Sequence, residues 1–382
     1  AAAVACLWWY GNRHDFFDLR IYVSAMRWWA DGNDLYDYVQ PDSIQGSLYF
    51  TYPPLTAVLL RPLAYLPLDI TIAVITAATV VALAVTTWWL VAPPADRLRV
   101  PKWYVTGLAV PLVLVLEPIR ETLTFGQINM LLIMLILADL LFGVPRNARW
   151  AGVGLGLATA LKLFPGIFIL YLLATRRWRA AAVASGTAAG ATLLAAALAP
   201  RASWQFWTEA LWSTERVGRT AYTANQSLLG MLGRLALPGE PSRAVWLALI
   251  VLVAGWGLWR AARVARAGDP LAGASIAGLV GGLVSPITWP HHVYWFIPAI
   301  VVLADAAWSA GGRRRRLALI ALAVLVYAVA AFGVVSFVDF GPLEPLGGVW
   351  EFVVRDAYVL LALLLVAVIP ARVSVYTTNN QK

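Results

Sequence analysis

The sequence predicts an all-α protein that crosses a lipid bilayer many times, and three observations carry that prediction. Of the 382 residues, 61% are apolar and only 13% are charged, with a mean hydropathy of +0.72. A soluble domain is about 45–50% apolar and about 25% charged, so a surface made from this chain needs lipid as its solvent. The apolar residues also gather into runs close to the ~20 residues that a spanning helix requires. Finally, the Lys and Arg behind the net charge of +9 recur as short clusters between those runs. That is the pattern of basic cytoplasmic loops. It is not the single basic patch that nucleic acid demands, so nucleic acid is not an expected partner.

Runs near 68–92, 177–199, 243–262, 292–311, 315–337 and 352–371 meet the length rule. Runs near 103–116, 126–143 and 270–286 are shorter, and prolines interrupt 53–66 and 150–174. Pro165 splits the latter into two short helices, a hairpin or a broken span, and such a break survives at depth only against protein or a water-filled cavity. Roughly ten to twelve spans are expected by length. Residue 1 is Ala and the opening apolar run is brief, so it reads as the trimmed end of a first spanning helix. The whole of 1–382 reads as one transmembrane domain. Cys6 is the only cysteine, which excludes an intrachain disulfide. The Ala-rich run 180–198 reads as a tightly packed span.

Five basic groups set the orientation: Arg97/Arg99/Lys102, Arg146/Arg149, Arg176/Arg177/Arg179, Arg260/Arg263/Arg266 and Arg313 through Arg316. All fall on one side if 150–174 enters and returns, and that side is cytoplasmic by the positive-inside rule. The opposite side receives 11–57, 117–125, 200–242, 285–291 and 338–351, which hold 14 of the 20 acids, Glu215 and Asp339 among them. Carboxylates segregated into external loops point to a ligand handled there. The protein is therefore expected in the plasma membrane with its site on the extracytoplasmic face.

Several stretches carry candidate chemistry. From Leu19 the apolar residues fall at helical spacing, with Arg20, Ser24, Arg27 and Asp31 on another face and Trp28 and Trp29 at the end. This is an amphipathic interfacial helix. Asp18 opens it, either as a cap accepting backbone N–H groups or as a general base at the edge of a lipid-facing cleft. Tyr49 through Pro54 reads as a loop anchored by interfacial aromatics. Glu117-Pro118-Ile119-Arg120-Glu121 precedes Gln127 and Asn129 at the start of a span, where they serve either an interhelical hydrogen bond or a ligand. Lys162, flanked by apolar residues just before the Pro165 break, is either functional or snorkelling. Asn225-Gln226-Ser227 matches a glycosylation sequon, with a polar loop anchor as the other reading. His291 and His292 sit between tryptophans at a helix mouth. Adjacent histidines diverge on a helix, and no further ligand has zinc-site spacing, so phosphate binding is the better functional reading.

In combination, these motifs resemble glycosyltransferase family 87, the actinobacterial polyprenyl-phosphate-mannose-dependent α-(1→2)-mannosyltransferases of the C-type glycosyltransferase fold. The resemblance runs through Phe17-Asp18-Leu19-Arg20-Ile21-Tyr22, Leu35-Tyr36-Asp37-Tyr38 with Thr51-Tyr52-Pro53-Pro54, Phe125-Gly126-Gln127-Ile128-Asn129, Ala158 to Pro165, Asn225-Gln226-Ser227, and Ser285-Pro286 through His291-His292. It implies an inverting transfer of mannose, with no cofactor or metal, to the 2-hydroxyl of a mannose on a phosphatidylinositol mannoside, lipomannan or lipoarabinomannan during cell-envelope biosynthesis. Asp18 is implied as the base. His291, His292, Lys162 and Arg120 are expected at the donor phosphate, and Tyr22, Tyr52, Glu117, Gln127, Asn129, Asn225 and Gln226 at the substrates. Within the family, Trp9 to Tyr22 is nearer the enzymes that add single branches to lipomannan than those that extend phosphatidylinositol mannosides. A flippase or transporter of a lipid-linked sugar is the alternative, but it needs polar access from both sides. A purely structural membrane partner leaves Lys162 and the histidine pair unexplained.

The orientation has a direct check. A cysteine at Asp42 should react with an impermeant thiol reagent in intact cells, and one at Arg314 should not. Reversed labelling would sink the topology.

Overall fold

The computed structural model describes residues 14–42, 46–213, 216, 219–333, 335 and 344–372. Cys6, Trp9, Glu215, Asp339 and the opening apolar run lie outside them.

Helices dominate the described residues, as expected of a polytopic all-α membrane protein. The exception is one hairpin, β1 (Val39–Asp42) against β2 (Gly46–Tyr49), antiparallel with Val39 opposite Tyr49. The apolar helices among the described residues fall into two classes by length. Four helices are long and apolar enough to cross alone: α3 (Leu68–Leu98), α9 (Trp178–Leu198), α12 (Arg243–Arg266) and α15 (Arg313–Phe332). A bent pair, α4 (Lys102–Leu114) and α5 (Glu117–Thr124), joins at 73° to make a fifth. Shorter apolar helices complete the bundle: α6 (Asn129–Ala138), α8 (Ile167–Ala174), α13 (Pro270–Val284), α14 (Phe296–Trp308) and α17 (Ala357–Val368). The 53–66 stretch is no span: α2 (Pro54–Leu60) gives way to a 3₁₀ turn at Arg61–Tyr65.

The 150–174 stretch is broken as expected. Helix α7 (Val153–Leu161) ends at Lys162, a 3₁₀ turn follows at Phe164–Gly166, and α8 resumes. Backbone groups freed at such a break need partners away from water. The Thr56 hydroxyl donates to the Leu161 carbonyl at 2.5 Å. At the other end of α7, the buried Asp139 carboxylate accepts the Gly152 and Leu155 N–H groups at 3.0 and 2.7 Å. Gly152 and Gly156 let α7 rest directly on the backbone of α9 at Ala180 and Ala184, the close approach that small residues permit. Helix α13 is the buried centre, packed by α8, α12, α14 and α17.

Above the bundle lies α1 (Phe17–Ala30), the expected amphipathic helix. It buries Leu19, Tyr22 and Met26 in a second core with Leu35, Tyr36, Phe50, Tyr52 and Phe206. Its N-terminus meets the C-terminus of α5: Phe16 N–H donates to Thr124 O at 2.9 Å and Leu19 N–H to Phe125 O at 3.1 Å. Gly126 allows the meeting. It has φ +70°, and a Cβ there would stand 2.6 Å from the Leu19 Cβ.

Gly126→Ala should therefore lose roughly 1–3 kcal/mol through left-handed backbone strain and overpacking. A lowered thermal midpoint of the purified variant is the expected result, and an unchanged midpoint would refute this account of the junction.

Candidate active site

Asp18 is the second residue of α1, and its side chain caps nothing. The capping reading fails because the carbonyls at the end of α5 already serve the first amides. The carboxylate turns sideways instead and accepts a short hydrogen bond from the Gln127 amide. Gln127 Oε1 in turn accepts from the Tyr52 hydroxyl at 2.8 Å, and Tyr22 OH donates to Tyr52 OH at 3.0 Å. The Lys162 ammonium continues the chain, 3.3 Å from Tyr52 OH and 3.0 Å from Asn129 Oδ1. It also stands 3.0 Å from His292 Nε2 and 5.0 Å from the centre of the Tyr52 ring. Asn129 Nδ2 reaches the His291 carbonyl at 3.2 Å. Seven of the residues expected from sequence thus form one hydrogen-bonded run, joined to the backbone of His291. The snorkelling alternative for Lys162 is excluded, because the chain points inward to three acceptors.

Burial pushes the Asp18 carboxyl up to about 6. The Gln127 hydrogen bond, Lys162 and His14 pull it back, while Glu121 adds to the rise. An acid in that range is ionised at neutral pH yet basic enough to take a proton. Burial also raises the Tyr22 and Tyr52 phenols, so both stay neutral donors. It pushes His291 and His292 well below the ordinary imidazole value, and Lys162 acts in the same direction. Both imidazoles are therefore neutral.

The two histidines are not equivalent. Their rings lie 4.4 Å apart and nearly perpendicular. His292 faces Lys162 with one nitrogen and receives the Trp289 N–H on the other at 3.2 Å. A neutral imidazole has one acceptor nitrogen, so the lysine and the Trp289 amide compete for it. His291 is 5% exposed, and both of its ring nitrogens lack a hydrogen-bond partner. Orphaned polar atoms at such depth cost about 1–3 kcal/mol each, so both His291 nitrogens are open to a further partner.

Not every expected residue joins this run. Arg120 donates to the carbonyls of Val115 and Ala331, and Glu117 accepts the Tyr358 hydroxyl, so they form a second cluster. Asn225 and Gln226 bond to backbone groups rather than projecting into the Asp18 run. The Asn225 amide donates to Thr220 O and Pro286 O and accepts from Thr288 N–H, and its side chain is fully buried, contrary to the sequon reading. Ser227 caps α11 (Leu228–Ala236) through Gly230 N–H.

Sequence reasoning missed His14, the third histidine. It stacks on Phe125 at 4.1 Å and contacts the buried Glu121 at 3.2 Å. Phe125 also packs 5.6 Å from His291, so a single ring lies between two imidazoles. The position of His14 four residues before Asp18 is the only signal the sequence offers.

Comparison with known proteins adds the chemistry. The family model for glycosyltransferase family 87 matches residues 50–286. A polyprenol-phosphate-mannose-dependent alpha-(1-2)-phosphatidylinositol mannoside mannosyltransferase of Mycobacterium tuberculosis is 38% identical over 330 residues, 82% of this chain and 75% of that one. A protein of the same name from Mycolicibacterium smegmatis is 34% identical over 375 residues, 92% and 83% of the two chains. A second M. smegmatis protein, named as a polyprenol-phosphate-mannose-dependent alpha-(1-2)-phosphatidylinositol pentamannoside mannosyltransferase, is 32% identical over 315 residues, 78% and 72% of the two chains. No solved structure matches. All three relatives are named as transferases, which disfavours the flippase reading. With the family model covering more than half the chain, and relatives above 30% identity across most of it, the chain belongs to glycosyltransferase family 87.

Proposed function

We propose that the protein moves mannose from polyprenyl-phosphate-mannose to the 2-hydroxyl of a mannose on a phosphatidylinositol-mannoside-type glycolipid, forming an α-(1→2) linkage on the extracytoplasmic face. The observation that carries this reading is the hydrogen-bonded run itself. It joins a carboxylate of raised proton affinity to a lysine and a histidine with unpartnered nitrogens, at the mouth of a membrane bundle. The names of the relatives supply the donor and acceptor classes. Loops rich in acids on one side and basic clusters on the other support the placement of the site.

In this reading Asp18 takes the proton from the acceptor hydroxyl as its oxygen bonds to the anomeric carbon. The bond from that carbon to the phosphate oxygen breaks on the opposite face, and its electron pair leaves with the phosphate. Configuration inverts. The leaving group needs charge stabilisation rather than a proton. The Lys162 ammonium and a neutral N–H of His291 supply it, with His292 holding the lysine. Gln127 aims the carboxylate. Cationic and hydrogen-bonding side chains suffice for a single lipid phosphate, so no metal is required.

Asp18→Asn keeps an acceptor for Gln127 but cannot take the proton. It should fold, bind donor and lose about 10²–10⁴-fold in turnover. In wild type, kcat/KM should rise through pH ~6 and level off above it, because only ionised Asp18 is a base and its value is raised to about 6. Wild-type turnover in the folded variant would rule Asp18 out, and a flat profile between pH 5 and 7 would contradict the raised carboxyl.

Transfer should also persist in EDTA. Activity lost in chelator and restored by manganese or magnesium would assign a metal to the external acids.

A further inference from the structure

Glu117, Gln226 and Tyr358 are each at least 97% buried, and the reaction as written uses none of them. They are joined in one line. Tyr358 OH donates a short hydrogen bond to Glu117, in the helix whose end carries Gln127. The Tyr358 and Val359 N–H groups donate to Gln226 Oε1 at 3.0 and 3.3 Å. The Gln226 amide nitrogen donates to the carbonyls of Thr223 and Arg355 at 2.6 and 2.7 Å, so its side chain has no capacity left. The Gln226 backbone N–H then donates to Thr288 O at 2.7 Å, Thr288 N–H returns to Asn225 Oδ1 at 2.9 Å, and Ser227 Oγ holds Pro286 O at 3.0 Å. Three residues beyond Thr288 stands His291. Behind the line, the buried Arg234–Asp356 ion pair fixes Asn225 through its carbonyl at 3.0 Å.

We infer that this buried polar line is a positioning element that helps set the spacing between the base side of the site, on α5 and Gln127, and the phosphate side, on the 285–292 loop, with Gln226 as its central positioning residue. Helix α5 packs on Pro290–His292 and Asn129 Nδ2 meets the His291 carbonyl at 3.2 Å, so the line acts on the part of the loop before them. The 285–292 loop has no regular structure before Pro290, and its backbone up to Thr288 is held from outside by residues 225–227. In-line displacement needs the acceptor oxygen, the anomeric carbon and the phosphate oxygen aligned. A displacement of about 1 Å from a change outside the reacting groups can cost ~10²-fold. Gln226 would therefore act on turnover while leaving the donor's contacts intact.

The inference rests on the proposed transfer, and the test separates the two. Wild type, Gln226→Met and Tyr358→Phe are purified in the same detergent, and kcat, donor KM and the folded fraction are measured with polyprenyl-phosphate-mannose and a phosphatidylinositol mannoside. Gln226→Met should lose ~10–100-fold in kcat per folded molecule, with donor KM within about twofold of wild type. Tyr358→Phe, which removes one hydroxyl only, should lose less in the same direction. If Gln226→Met fails to fold, Tyr358→Phe alone decides. Unchanged kcat per folded molecule, or activity that merely tracks the folded fraction, would overturn the positioning role. So would a rise in donor KM at constant kcat, which would make Gln226 a ligand contact. A wild type that transfers no mannose would overturn the functional reading instead.

Discussion

Four separate segments have to bring polar groups together at the boundary of an apolar body, and none of those groups can stand there unpaired. The run from Asp18 through Gln127 and Tyr52 to Lys162 meets that demand, and much of the fold is shaped around it. The break after α7 lets Lys162 leave the helix and turn inward, with Thr56 serving the Leu161 carbonyl beside it. Gly126 adopts a left-handed turn so that Gln127 reaches Asp18. The bend between α4 and α5 turns the chain across the top of the bundle, where a straight span would have carried Gln127 elsewhere.

Much of this was legible in the sequence because the signals are local and costly to violate. A lysine among apolar residues before a proline, an amphipathic stretch opening on an aspartate, and a histidine pair between tryptophans each break a rule that ordinary spans obey. Seven such residues prove to be one network. What the sequence did not disclose depends on contacts between distant segments. His14 carries no local mark, and its role arises only when α1 docks on α5. For Asn225 and Gln226 the residues themselves read as a polar loop anchor, and only the family resemblance implied substrate contact; the anchor reading fits their hydrogen bonds. Their partners are backbone groups of residues 286–288 and 355–359, and backbone groups leave no trace in the side-chain pattern. A length rule assumes continuous helices, and this chain also uses shorter and broken ones.

The ends of the helices opposite the run are tied by charge, as the ends beside it are tied by amides. Arg372 donates to Asp269 and Asp305, Arg97 pairs with Asp305, and Asp269 also caps α13 through Ala272 N–H. The central helix is thus fixed at one end by carboxylates and at the other by the loop that carries the histidines. That loop presses Trp295 flat against Gly278 of the same helix. The histidine loop therefore rides on the most buried of the described helices, while Asp18 sits on the layer formed by α1.

The junction of α1 with α5 has an electrostatic consequence. A carboxylate in the first turn of an isolated helix feels the partial positive charge of exposed amides and becomes more acidic. Here the carbonyls that end α5 face the amides that begin α1, so the negative pole of one helix lies on the positive pole of the other. The two dipoles meet head to tail at a seam and largely cancel. Asp18 stands on that seam, where burial is the largest influence on its proton affinity and Gln127, Lys162 and His14 only partly oppose it. A corner in the backbone thereby acts as a local neutraliser, and a residue that elsewhere would be a surface anion keeps a high affinity for a proton.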